Sequence, residues 1–301
     1  MPARFTPFFD ARSSSDWGTL RGYAEVELQW TSGAGESSTY LRHAFIDIGD
    51  RNFLRIGRNW SPYGVYVGPG GNIADGSYGR RSVNAVAYYF NSAQPANGNI
   101  APGRGFSGFI ALVDNELSLR GRSHTHSWNT DVEAGLGFGW DGGYLRGAVA
   151  YDSRDGYGGG LPDGFGGTIP GGDAWSAKLG IQQAFGAFTA RLIGLYNSRP
   201  DLWSNEQNYS LGATSITGGS RWSILGGLDY EFSPKAKGVL TVQWFNQTVW
   251  NVGTLSARWT VAAGVDLKPV NGLRVRPEIN YRNNQNNTSV WGGALRVERT
   301  F

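Results

Sequence analysis

The stretch Trp291-Gly-Gly-Ala-Leu-Arg-Val-Glu-Arg-Thr-Phe301 alternates: Trp291, Gly293, Leu295, Val297, Arg299 and Phe301 fall on one face, and Arg296, Glu298 and Thr300 on the other. Side chains of a strand point by turns to its two sides, so one face can meet lipid while the other meets water. Segments of the same pattern recur back along the whole sequence. They predict an all-β chain rolled into a transmembrane barrel.

The 301 residues show no linker-like shift in composition, and barrels of this length fold as one unit, so a single domain over 1–301 is expected. Mean hydropathy is low (−0.35), and no apolar run approaches the roughly 18 residues of a spanning helix. Spanning strands escape that test, because they need only about 9 to 11 residues with every second one apolar. Aromatic residues make up 14% of the chain with 12 Trp and 46 Gly, a β composition in which rings favour strands and glycine serves turns and crowded walls. No cysteine is present, so neither a disulfide framework nor a thiolate metal site is available. The net charge of +3 is dispersed, which argues against a nucleic-acid partner. Lysine occurs only at Lys178, Lys235, Lys237 and Lys268, so arginine carries most of the positive charge, as suits a charge fixed on a pore wall. Met1-Pro2-Ala3 runs straight into a strand-like segment without an apolar leader, and a mature or trimmed start is expected.

Reading with period two gives about fifteen strands, near 3–11, 17–30, 38–48, 52–59, 81–91, 106–114, 128–140, 143–152, 174–185, 187–197, 221–232, 236–247, 257–268, 271–282 and 290–301. Short links at 49–51, 141–142, 186, 233–235 and 269–270 alternate with long ones at 31–37, 60–80, 115–127, 153–173, 198–220, 248–256 and 283–289. Short periplasmic turns on one rim and long extracellular loops on the other are the outer-membrane arrangement. The 92–105 link is long where a short turn is due. Pro7 is tolerable on a terminal strand, whereas Pro277 removes a ladder donor in mid-strand and predicts a bulge.

The two faces are chemically distinct. Leu20, Gly22, Ala24, Val26, Leu28 and Trp30 oppose Arg21, Tyr23, Glu25, Glu27 and Gln29, and the strands at 221–232, 257–268 and 271–282 repeat the contrast. A soluble sandwich would bury the apolar side instead. Ring placement favours the barrel: Trp30, Trp140, Trp175, Trp222, Trp259 and Trp291 end apolar faces, as does Phe301, matching aromatic girdles at two membrane interfaces.

Phe9-Asp-Ala-Arg-Ser-Ser-Ser-Asp-Trp-Gly-Thr-Leu-Arg-Gly-Tyr23, Thr39-Tyr-Leu-Arg-His-Ala-Phe-Ile46 and Leu54-Arg-Ile-Gly-Arg-Asn-Trp60 resemble the alphaproteobacterial general porins. The resemblance covers about fifty residues; beyond them it rests on strand spacing and Phe301. It implies a barrel of about 15–16 strands in the bacterial outer membrane, a water-filled passage for small hydrophilic solutes and ions, contact with lipid and lipopolysaccharide, and a homotrimer. These segments look like the second to fifth strands of that family, so the resemblance implies that the first strand is absent here. Even strand number is the rule for antiparallel closure.

By the same resemblance, the loop at 61–80 occupies the position of the constriction loop that folds into the lumen, with Asp75 its only acid and Arg80 at its end. Arg21, Arg42, Arg55 and Arg58 lie on the strands before it and are expected to form a basic wall opposite Asp75, giving a transverse field. The alternative is that each pairs with a lumen acid such as Glu25, Glu27 or Asp47. Arg42 and Arg58 are in phase with apolar neighbours unless a bulge intervenes. Round the rest of the lumen, Arg146, Arg191, Arg221, Arg258, Arg274, Arg276 and Arg296 share a face with Asp131, Glu133, Asp229, Glu231, Asp266, Glu278 and Glu298, and the near balance predicts weak selectivity with a slight anion preference.

Enzyme motifs are scarce. His43, His124 and His126 are the only histidines, and His124 and His126 lack an evident third zinc ligand. A barrel hydrolase would have to use His43 with a nearby serine and carboxylate, and no nucleophile spacing supports it. Gly68-Pro-Gly-Gly71 lacks the Gly-Lys-Ser/Thr ending of a phosphate loop. The expectation is a passive pore with no catalytic residues, cofactor or metal; a barrel hydrolase and a soluble or adhesive sandwich are the rival readings.

Overall fold

The computed structural model describes residues 2–31, 37–67, 82–94, 100–114, 130–152, 161–162, 168–169, 174–198, 222–245, 257–284 and 289–300. One antiparallel sheet of sixteen strands contains nearly all of them. The strands are β1 Pro2–Phe5, β2 Phe8–Ser15, β3 Gly18–Thr31, β4 Ser37–Gly49, β5 Phe53–Trp60, β6 Ser82–Phe90, β7 Gly105–Asp114 and β8 Thr130–Trp140. Then follow β9 Gly143–Asp152, β10 Ala174–Phe185, β11 Phe188–Asn197, β12 Trp222–Ser233, β13 Ala236–Phe245, β14 Ala257–Leu267, β15 Leu273–Asn284 and β16 Ser289–Arg299.

β1 and β2 lie end to end along one side of β3. The register runs through the break, with Phe5 opposite Leu28 and Phe8 opposite Glu25. The break falls at Thr6-Pro7, where the proline has no N–H to give the ladder but its carbonyl still accepts from Val26 N at 3.1 Å. From β3 onward each strand pairs with its neighbour in the large sheet, and no pairing of β1 or β2 with β16 occurs among the described residues.

The faces decide what the sheet is for. Ile279 is 55% exposed and Leu20, Leu136, Leu179 and Leu295 are also open on the outside, while Glu27 and Asp266 are buried at 1% and 4% on the inside. A soluble sandwich would reverse this, because burying charge and wetting leucine both cost free energy. The exposed band ends in two sets of rings. Toward the long loops stand Trp30, Trp175, Trp222, Trp259 and Trp291, with Trp175 against Tyr196 at 4.8 Å and Trp291 against Tyr281 at 5.0 Å. Toward the short turns lie Trp140, Phe106, Phe138, Phe188, Tyr230 and Phe232, with Phe188 and Tyr230 4.5 Å apart. The molecule is a transmembrane antiparallel barrel, apolar outside and charged within. Phe301 lies outside the described residues.

Short turns bind the lower rim, and Gly142 (φ 76°) and Gly186 (φ 61°) supply the left-handed backbone at two of them. The long 92–105 link is a small hairpin in which Ser92–Ala93 pairs with Ala101–Pro102. It folds over the neighbouring β4–β5 turn, where Ser92 N donates to Arg51 O and Gln94 Nε2 to Gly49 O. Arg12 reaches it too, donating to Gln94 O.

Pro277 does not create a bulge, contrary to the expectation. Its register with Leu295 is unbroken, and toward β14 the ladder lapses between Gly264↔Glu278 and Leu267↔Val275 while the phase is kept. A missing donor can be absorbed by leaving out bonds without adding a residue. True irregularities fall at Arg42, at Phe232 and at Arg258.

Candidate pore constriction

After β5 the chain turns into the lumen. Ser61 caps the one-turn helix α1, Pro62–Tyr66: its hydroxyl accepts from Gly64 N at 3.2 Å, and Pro62 fills the first turn, where no donor is needed. Helix and cap are almost wholly buried, although surrounded by a barrel rather than by a protein core.

Two buried charges hold this helix by its ends. The Glu133 carboxylate on β8 accepts from the Ser61 hydroxyl at 2.7 Å and from Tyr63 N at 2.8 Å. On β10, Lys178 Nζ donates to Val67 O at 3.1 Å and sits 4.3 Å over the Tyr63 ring. An anion at the helix start and a cation at its end complement the exposed N–H and C=O groups. Phenols fix the sides: Tyr63 OH bonds Ser176 Oγ at 2.5 Å, and Tyr66 OH donates to Ser107 O at 2.7 Å. Burial pushes the Tyr66 phenol upward, so it remains a neutral donor at physiological pH.

Glycines make room. A Cβ on Gly180 would lie 2.6 Å from Val67 Cγ1, and one on Gly135 would lie 2.9 Å from Tyr66 Cδ1. Around them Tyr63, Tyr66 and Val67 pack with Phe109, Val113, Ile193, Leu195 and Leu225. The lumen face is thus not uniformly charged; beneath the helix it is apolar.

The arginines predicted for the constriction separate. Arg21 and Arg55 share Asp47, Arg55 at 2.6 Å and Arg21 at 3.6 Å, and Arg21 also makes two 2.9 Å bonds to Asp10. Arg55 stacks on Phe45 at 3.7 Å. This group lies a few residues from the short turns, on the lumen face. Arg42 belongs to a second group nearer the long loops. It is the extra residue of the bulge between Glu25 and Val26, which turns it inward to Glu25 (2.9 Å), Glu27 (3.5 Å) and the Trp60 ring (5.2 Å). Tyr40 OH donates to Glu27 and Arg4 pairs with it. Arg58 pairs in register with Ala44, stays on the outward phase of Ile56 and donates to Leu41 O, so it is not brought to either group. Asp75 and Arg80 lie outside the described residues.

Of the lumen wall, Asp131, Glu133, Asp229, Asp266, Arg276 and Glu278 are buried on the inner face. Asp229 holds Arg191 and Lys237, Asp266 holds Arg274 and Arg276, and Glu298 faces Arg274 and Arg296. Arg146 stacks on Tyr144 at 3.9 Å and lies near Tyr66. Arg221 is outside the described residues, as is the side chain of Arg258. His43 is buried edge-on to Trp60 at 5.2 Å; His124 and His126 are not described.

Sequence reasoning missed the roles of Ser61, Tyr63, Tyr66, Lys178 and the wall glycines. Lys178 did carry a signal, as the one lysine of the chain remote from the short turns.

An apolar-coated barrel with a loop segment latched inside it defines an outer-membrane channel. The porin subfamily profile matches residues 1–299, and the chain belongs to that family. Porin Omp2b of Brucella canis is 25% identical over an alignment that covers 99% of this chain and 76% of the relative. In three dimensions the chain is similar to OmpF of Salmonella typhi in complex with daunomycin (TM-score 0.66, 14% identity, 99% of this chain and 90% of the other). It is also similar to the outer-membrane channel DcaP of Acinetobacter baumannii (TM-score 0.64, 15% identity, 98% and 84%). The protein is an outer-membrane porin, a channel for passive diffusion.

Proposed function

We propose that this porin is a single-domain diffusion pore whose width is set by the segment entering at Ser61 and continuing through the loop at 61–80. The observation that carries the reading is the burial of Ser61–Val67 inside the barrel, held by Glu133 of β8 and Lys178 of β10. A segment anchored at both ends of its helix resists being swept aside by solutes.

In this reading Arg21, Arg42, Arg55 and the paired lumen charges keep the pore wet, and Asp75 and Arg80 belong to the same eyelet. Because most lumen acids hold one or two cations, the field is short-ranged and selectivity weak, tilted to anions by the net excess of base. Solutes pass unchanged, without catalysis or cofactor. The apolar band meets outer-membrane lipid and lipopolysaccharide, and the assembly is a homotrimer as the family resemblance implies.

Planar-bilayer conductance tests this. The protein is expected to give stepwise ohmic currents, and deletion of Gly68–Ser77 to raise the unitary conductance and admit larger sugars. An unchanged conductance would show that the loop does not narrow the passage.

A further inference from the structure

Three of the four lysines of the chain meet at one place on the lower rim. Lys235, Lys237 and Lys268, with Arg274, line a cleft of about 350 Å³ between the β12–β13 turn and the β14–β15 turn. The cleft opens inward: Lys235 and Lys237 share the phase of Val239 and Thr241, and Lys268 that of Asp266, which are lumen positions. It stands at the turn-side mouth, apart from the helix latched by Glu133 and Lys178.

The charges here are unevenly satisfied. Asp266 is held by Arg274 and Arg276 at 2.5 and 2.6 Å, and Asp229 by Arg191 and Lys237 at 2.5 and 3.1 Å, so each acid is already outnumbered. Lys235 and Lys268 have no side-chain partner among the described residues. Yet they face each other across the ladder, next to the pair Ala236↔Leu267 and joined by Lys268 N donating to Lys235 O at 2.8 Å. Like charges directly opposite each other destabilise a sheet. A repulsive pair beside an inward cleft breaks the local rule in the way binding sites do. Neutralising it takes a ligand with at least two negative charges and oxygen acceptors on more than one side.

We propose that this cleft binds polyvalent oxyanions of the phosphate class at the turn-side mouth of the pore. Lys235 and Lys268 are the direct ligating groups, Lys237 and Arg274 reinforce the field, and Glu231 on the same lining opposes it. The inference rests on the pore reading, since the site acts on what enters the lumen.

The test is pyrophosphate added to either chamber of a bilayer holding the full-length channel in potassium chloride. Block is expected from the turn side, reversible and weakening with salt. The Lys235→Gln, Lys268→Gln double variant should need about tenfold more pyrophosphate for half-block, because two exposed ion pairs are lost. Glu231→Gln should need less than the parent chain, which keeps the proposal testable if the double variant fails to assemble. Equal block of parent and double variant, or none from either side, would overturn the site. Absence of any chloride current before pyrophosphate is added would count against the pore itself, and titration of detergent-solubilised protein with pyrophosphate would then decide the site separately.

Discussion

Two parts of the inner wall reach the same near-zero exposure by opposite means. From β7 to β11 the wall is covered by another piece of the chain: α1 lies on Phe109, Ile193 and Leu195, and each end of the helix meets one buried charge. From β2 to β5 the wall covers itself. Asp10, Arg21, Asp47 and Arg55 run across neighbouring strands as alternating charges, with Tyr23 and Phe45 stacked beside Arg21 and Arg55. Glu133 and Asp47 are both fully buried carboxylates, yet one fastens a separate helix to the wall and the other only neutralises its neighbours. Charge inside a barrel therefore does at least two jobs, and burial alone does not distinguish them.

The largest expected effect comes from undoing the fastening. Glu133→Ala removes the acceptor of both Ser61 Oγ and Tyr63 N and leaves a backbone donor buried without a partner, a loss of about 3 kcal/mol locally. Open-channel noise and mean conductance should both rise. Lys178→Met keeps the packing stem, loses the amine that donates to Val67 O and lies over the Tyr63 ring but leaves the Glu133 bonds to Ser61 and Tyr63 in place, and should do less. Because both act on one helix, the double variant should fall short of additivity. A quiet, unaltered Glu133→Ala channel would mean that the helix needs no latch and that the two walls are alike after all.

A smaller effect comes from the floor under the helix. Gly180→Ala puts a methyl 2.6 Å from Val67 Cγ1, whereas the same change at Gly194, one strand over and facing outward, meets nothing within 4 Å. The first should lower the thermal unfolding temperature, with a destabilisation of about 1–2 kcal/mol, and the second should leave it where it was. Equal melting of the two variants would indicate that Val67 is not pressed against β10.

The sequence made the barrel and the sidedness of its strands plain, because period-two alternation with rings at both ends has few other readings. What it could not convey was cover. Glu133 and Glu298 sit in identical alternating patterns, and the first is fully buried while the second has a side chain 42% exposed, since a helix arriving from β5 lies on one and not the other. Ile193 and Leu195, on the inner face of β11, belong to the same buried apolar cluster as Tyr63, Tyr66 and Val67. The Arg42 bulge was legible as an alternative to a strict ladder, while the ladder's tolerance of Pro277 was not, because a lapse of two residue pairs leaves no mark on the pattern. The 92–105 hairpin owes its place to bonds with Arg12, Gly49 and Arg51, which lie far away in sequence.

The smallest effect concerns selectivity at the self-covered wall. Arg21→Gln with Arg55→Gln leaves Asp47 without either cation and Asp10 with Arg12 alone, so in a salt gradient the reversal potential should move toward that of the cation. Arg21→Gln with Asp47→Asn removes one charge of each sign and should leave it unmoved. The shift should also be modest and should vanish in concentrated salt, because the group lies near the turn-side mouth, where a Debye length of about 10 Å at 0.1 M shrinks to about 3 Å at 1 M. A shift that survives at 1 M would require these arginines to line the narrowest point of the passage. The distinction between a wall that fastens and a wall that merely balances itself would then fail.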